Sequence, residues 1–271
     1  MKIAISGKGG VGKTTVAAFL AKWFAAHEKN VLAIDADPDA NLANGLGISN
    51  ASSIVPISQM KELVAERTES VPGSFGGFFK MNPRVDDLPE KLSVRGGDRI
   101  RLMVMGGVKK GGTGCVCPES VLLKNLVQHL VLYRDDVVIM DMEAGIEHLG
   151  RGTSKAVDWL LVVVEPGRRS AETAMRIKEL GSDIGLTRVA LVGNKVRGEA
   201  DRKFLVENLI GFPFLGFVPY DEKIIEADLR GVYAEEVSEA TRAALEEIAR
   251  NLSEQVARDA VPGSSGEGGG P

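Results

Sequence analysis

Close behind the N-terminus stands GKGGVGKTT, residues 7–15, which matches the pattern G-x-x-x-x-G-K-[ST] from Gly7 to Thr14. Glycines at these spacings let the backbone N–H groups of Gly9, Gly10, Val11, Gly12, Lys13, Thr14 and Thr15 curl round phosphate oxygens. Lys13 is then placed to reach the β- and γ-phosphates of a nucleotide, and Thr14 to bind its Mg²⁺. Two acidic stretches suit the same chemistry. Asp141 ends the apolar run VVIMD, where a carboxylate can hold the hydration shell of the ion. Asp35, Asp37 and Asp39 crowd into DADPD. A turn or helix cap is the plain reading of Asp37-Pro38-Asp39, and an acidic loop beside the γ-phosphate is the functional one. The third constellation is GCVC, which holds Cys115 and Cys117, the only 2 cysteines of 271 residues. In an extended C-x-C both side chains leave the same face, so two thiolates can clamp one ion. A buried structural pair or a redox dithiol remains open.

These side chains need rigid elements to place them. Seven short apolar runs supply strands, at 2–6, 30–35, 100–106, 136–142, 159–165, 189–195 and 214–220. Several run without alternation, the pattern of strands covered on both faces. Helical patterns lie between them. The clearest follows the phosphate loop directly, with Val16, Phe19, Leu20, Trp23 and Phe24 on an i, i+3, i+4, i+7, i+8 stripe. Alternating strands and helices predict an α/β fold: a doubly wound, mainly parallel sheet with helices on both faces. One domain is expected over 1–260. Within it, residues 49–97 form an irregular insertion rich in Ser, Pro, Gly and charge, with one short helix near MKELVAERT. The tail VPGSSGEGGGP, 261–271, has almost nothing to bury and is expected to be disordered.

Composition excludes several classes. With 44% apolar and 26% charged residues the chain reads as soluble and globular. A net charge of −4 argues against a general nucleic-acid binder. The start MKIAISGKGG breaks into glycines too early for a signal peptide. No apolar run approaches the length of a membrane span. A cytoplasmic protein with reduced thiols is therefore expected.

The loop KGGVGKTT resembles the variant phosphate loop of the ATPase group that includes the septum-positioning, chromosome-partition, nitrogenase iron-protein and tail-anchored-targeting ATPases. The resemblance covers residues 1 to about 235 and implies a P-loop ATPase fold. In that group an extra lysine, here Lys8, crosses a dimer interface to the partner's nucleotide. The resemblance further implies that Asp37 orients the attacking water, that Asp35 helps Asp141 hold the Mg²⁺ shell, and that DMEAGIEHLGRG is a switch responding to the γ-phosphate. VGNKVR resembles the N-K-x-D signature of guanine-binding relatives, with Asn194 and Lys195 in place and Arg197 where the guanine-reading aspartate stands. ATP is thus the expected nucleotide. VPYD places Pro219, Tyr220 and Asp221 where the family lines its adenine pocket, a strand ending in a turn being the plain alternative.

Cysteines separate the branches of this group. The nitrogenase iron protein needs a second cysteine near the strand after its glycine-rich loop, and none stands near Asp141. Iron–sulfur carriers use a C-x-x-C nearer the C-terminus, and septum-positioning ATPases end in a basic amphipathic helix. Here the last helical segment carries Leu245, Ile248, Leu252 and Val256 on one stripe with acids opposite, so it is expected to pack on the core. The set GKGGVGKTT, DADPDANL, GCVCPE and DMEAGIEHLGRGT resembles most closely the nickel-insertion accessory ATPases of carbon monoxide dehydrogenase, the CooC type, with relatives that serve acetyl-CoA synthase. That implies a homodimer that binds ATP and Mg²⁺, and carries Ni²⁺ or Zn²⁺ at a thiolate site shared between two chains. Its partner would be the apo-enzyme, with no nucleic acid or membrane involved. Four sulfurs from two chains suit tetrahedral Zn²⁺ or planar Ni²⁺. A positioning or partition switch, and an iron–sulfur carrier or reductase, are the competing readings. Of the three histidines, His27 and His129 read as structural, and His148 lies in the second switch.

Overall fold

The structure, a computed structural model, describes residues 1–70, 78–106, 117–133, 137–143, 145–146, 149, 157–230 and 237–260. Its strands are β1 (Lys2–Ser6), β2 (Val31–Ala36), β3 (Val94–Arg95), β4 (Ile100–Val104), β5 (Val137–Met142), β6 (Trp159–Val164), β7 (Val189–Val196) and β8 (Phe214–Pro219). They form one sheet in the order β3-β4-β2-β5-β1-β6-β7-β8. Every neighbouring pair is parallel except β3 with β4. All seven expected strands are present. The eighth, β3, has only two residues, Val94 and Arg95, which pair antiparallel with Leu102 and Arg101. So short a strand carries no period to read.

The described helices are α1 (Lys13–Ala26), α2 (Leu42–Leu46), α3 (Lys61–Thr68), α4 (Leu88–Leu92), α5 (Pro118–Tyr133), α6 (Arg168–Ile184), α7 (Glu199–Asn208), α8 (Glu222–Leu229) and α9 (Glu239–Ala260). Two buried clusters show why the strands lack alternation. Along β6, Leu160, Val162 and Val164 join α5, α6 and α7 on one face. Trp159, Leu161 and Val163 join α1, α2 and α9 on the other. Side chains alternate between faces, and both faces are covered, so every position is apolar.

On α1, Val16, Leu20 and Phe24 are buried with Ala17 and Ala21, while Phe19 and Trp23 sit at the margin. The small alanines let the helix lie close to the sheet. Leu245, Ile248 and Leu252 of α9 are buried and Val256 packs beside them, so this helix spends its apolar stripe on the core, as expected.

Within 49–97, α3 is the helix expected near MKELVAERT, accompanied by two 3-10 turns, α4 and β3. The segment is tied down by a two-pronged ion pair, Arg67 Nη1 and Nη2 to the two oxygens of Asp87 at 2.7 and 2.8 Å. Hydrogen bonds from Arg67 and Lys91 hold the Asp87 carboxyl well below the usual carboxylate range. Among the described residues, no helix is long and apolar enough to cross a membrane. The tail 261–271 lies outside the described residues.

Candidate functional site

In a parallel sheet the C-terminal ends of the strands share one edge, and ligands bind there. β1 ends at Ser6 and the phosphate loop follows. Its shape is forced by contacts with two neighbouring strands. At Gly12, φ is +95°, and a Cβ would lie 2.3 Å from Asn194 Nδ2. At Gly7 a Cβ would lie 2.4 Å from the carbonyl oxygen of Val163. Asn194 Nδ2 donates to the carbonyl of Val11 at 2.7 Å, and the Lys195 ammonium donates to that of Gly10. Asn194 is thus engaged in bracing the loop, and the Val11 side chain is fully buried beneath it. Lys195 adopts a left-handed backbone, φ 57°, an uncommon state for a side chain of its size.

The carboxylates arrive on adjacent strands. Asp35 of β2 and Asp141 of β5 are register partners, and both are fully buried. Thr14 Oγ1, in the first turn of α1, donates to Asp141 Oδ2 at 2.7 Å. Asp141 Oδ1 is buried without a hydrogen-bond partner. Burial pushes the Asp141 carboxyl up to about 7, against the Thr14 hydrogen bond and with Asp35 adding to the rise. Asp35 is pushed up to about 6, again chiefly by burial. Its oxygens accept the N–H groups of Leu42 at 2.8 Å and Asp37 at 3.2 Å, so it also shapes the loop that carries Asp37. Asp37 Oδ2 lies 3.9 Å from the ammonium of the buried Lys13.

Mg²⁺ fits this set. The ion takes hard oxygen donors, keeps several waters, and needs only one or two protein ligands beside the phosphates. An orphaned carboxylate oxygen next to a threonine hydroxyl supplies them. Among the described residues, no three His, Cys, Asp or Glu converge on one point, and Mg²⁺ requires no such cage.

A cavity of about 510 Å³ opens from the loop. Its polar end is Gly9, Gly10, Gly12, Lys13, Thr14 and Thr15, together with Asp37 and Asp39. Its apolar end is Phe19, Ile224, Ile225, Val237 and Leu245, with Arg242 beside them. VPYD, expected to line the adenine pocket, joins β8 to α8: Pro219 ends the strand, and Tyr220 and Asp221 precede the helix. Asp221 caps α8: its oxygens accept the N–H groups of Lys223 at 3.0 Å and Ser238 at 2.7 Å. Tyr220 packs under the guanidinium of Arg197, 4.4 Å from the ring centre. The helices after VPYD line the cavity, and the period of IIEADL was the signal available for them.

Of the GCVC pair, Cys115 lies outside the described residues. Cys117 precedes α5 and its carbonyl accepts the N–H of Val121 at 3.1 Å. Burial pushes its thiol up, and Glu119 adds to that. His148 also lies outside the described residues, His27 Nδ1 is 2.8 Å from the Trp23 carbonyl, and His129 is half-buried on α5.

A phosphate loop braced by β7, a lysine before and within it, and buried aspartates on neighbouring strand ends define a P-loop ATPase site whose oxygen donors suit Mg²⁺. The chain belongs to the CobQ/CobB/MinD/ParA nucleotide-binding domain family, whose model matches residues 2–234. It is 43% identical to the carbon monoxide dehydrogenase accessory protein CooC of Rhodospirillum rubrum, over 94% of this chain and 97% of that one. It is 47% identical to an uncharacterized ATP-binding protein of Methanocaldococcus jannaschii, over 85% of this chain and 90% of that one. The cell division ATPase MinD of Pyrococcus furiosus shares the fold, with a TM-score of 0.65 at 20% identity over 94% and 99% of the two chains. The chain fits the CooC type within the MinD/ParA group.

Proposed function

We propose that this ATPase dimerises on Mg²⁺–ATP and uses hydrolysis to deliver nickel to an apo-metalloenzyme, carbon monoxide dehydrogenase or acetyl-CoA synthase. The observation that carries the reading is the likeness to CooC along nearly the whole of both chains, and GCVC supplies the soft donors such a cargo needs. The triphosphate enters the polar end of the cavity, where the loop amides and Lys13 neutralise it. Thr14 and Asp141 hold Mg²⁺, with Asp35 behind them; when bound, the ion offsets charge on the β- and γ-phosphates. Asp37 orients the attacking water from the rim, and Lys8 reaches the phosphates of the second copy. The base takes the apolar end beside Ile224, Ile225 and Leu245. Cys115 and Cys117 of each chain, four thiolates in all, hold one ion between the copies.

Metal titration read by sedimentation tests this. One Ni²⁺ or Zn²⁺ per dimer is expected. Cys115→Ser and Cys117→Ser should each abolish tight binding, since a serine hydroxyl stays protonated and is a poor ligand for these ions, and each should keep most basal ATPase activity. Full-strength binding in the double serine variant, or one ion held tightly by a monomer, overturns the shared site.

A further inference from the structure

Two lysines at the phosphate loop share one counter-ion. The Lys8 ammonium lies 3.3 Å from one carboxylate oxygen of Glu165, and the Lys195 ammonium 3.3 Å from the other. Glu165 directly follows β6, and its position is set by the sheet. β6 pairs with β1 through Ser6 and Val162, and the Val163 carbonyl presses on Gly7 too closely for any side chain. The Glu165 N–H donates to the buried Ser170 Oγ at 3.0 Å, at the start of α6. Lys195 is pinned from a second side by the Gly10 carbonyl. A carboxylate so near a phosphate loop repels the anion the loop must admit. Neither phosphate binding nor water activation has a use for it, so its partners are its purpose.

We propose that Glu165 is a positioning residue that keeps Lys8 on its own subunit until a second, ATP-loaded copy competes for it. The proposal rests on the reading that Lys8 acts across a dimer interface. The Lys8 and Glu165 side chains are 38% and 24% exposed, so their pair is weak, biasing an equilibrium by at most about fivefold. That is enough to set a resting position and too little to resist a triphosphate. Dimerisation breaks two such pairs, so the biases multiply, to at most about twenty-fivefold. Lys195 remains with Glu165 and Gly10, so the carboxylate keeps a counter-ion and the loop keeps its brace when Lys8 leaves.

Glu165→Gln removes the charge and keeps the shape. At a saturating non-hydrolysable ATP analogue, where changes in nucleotide affinity drop out, sedimentation should show dimers tighter by severalfold to about twenty-fivefold. Glu165→Asp, which retains the charge, should lie nearer the parent. In a Lys8→Ala background the effect of Glu165→Gln should vanish. Tightening that persists without Lys8, or any weakening, overturns the proposal. A second measurement needs no dimer: acylation of the nucleotide-free monomer by a water-soluble amine reagent, read by mass spectrometry, should label Lys8 faster in Glu165→Gln. Equal labelling overturns the latch itself. Faster labelling in a protein whose parent stays monomeric with ATP supports the contact and overturns the cross-interface reading instead.

Discussion

On β5 the interior and the site are one residue apart, and they obey opposite rules. Val138, Ile139 and Met140 are buried among apolar side chains of the two helical layers. Asp141 is as deeply buried, yet one of its oxygens has no hydrogen-bond partner. Those three apolar side chains carry no nitrogen or oxygen that needs a partner. The rim is underbonded, and native proteins rarely leave a buried polar atom so without a reason. The difference teaches that stability and function divide along β5, with the mismatch stored where a cation and phosphates can relieve it.

Changes at the rim should therefore strike turnover and spare the fold, and changes one residue inward should do the reverse. The largest effect is expected from Asp37→Asn, which should lower turnover by about 10²–10⁴-fold, because an amide cannot polarise the water as a carboxylate does. Phosphate release measures the loss, and an unchanged melting temperature confines it to the rim. Next, Leu160→Ala in fully buried β6 should cost about 2–5 kcal/mol in chemical denaturation, with turnover per folded molecule kept. A large activity loss in the folded Leu160 variant would erase the division.

Gly12→Ala tests the boundary itself. Its positive φ and the Asn194 amide 2.3 Å from the added Cβ should strain the loop by about 1–3 kcal/mol, read as weaker nucleotide binding by calorimetry. The smallest effect concerns pH in nucleotide-free, metal-free protein. The carboxyls of Asp141 and Asp35 are raised to about 7 and about 6, above the 3.8 of a free aspartate. Their protonated forms favour the fold, a contribution fully present below pH 3.8 and lost as pH rises through about 6 and about 7. Asp141→Asn, permanently uncharged, should melt close to the parent at pH 4 and increasingly above it by pH 8. A gap that does not grow with pH would show that the buried charge stores nothing.

The sequence by itself determined the layered sheet, because unbroken apolar runs such as WLLVVV can be satisfied only between two helical layers. It also determined the phosphate loop, whose glycines and lysine are adjacent in the chain. The pairing of Thr14 with Asp141 was legible too, since P-loop chemistry names both roles. Tertiary structure decided the rest, wherever contacts join distant residues. Asn194 braces Val11 across 183 positions, a partnership that no local pattern encodes. The wall formed by Ile224, Ile225 and Leu245 depended on how α8 and α9 return past the loop, which no motif along the chain announces. Glu165 is the sharpest case. Its meaning comes from Lys8, 157 positions away, and from Lys195, which β1, β6 and β7 bring to the same strand ends. Spacing reports what neighbours along a chain can do together, and only the sheet decides which strangers become neighbours.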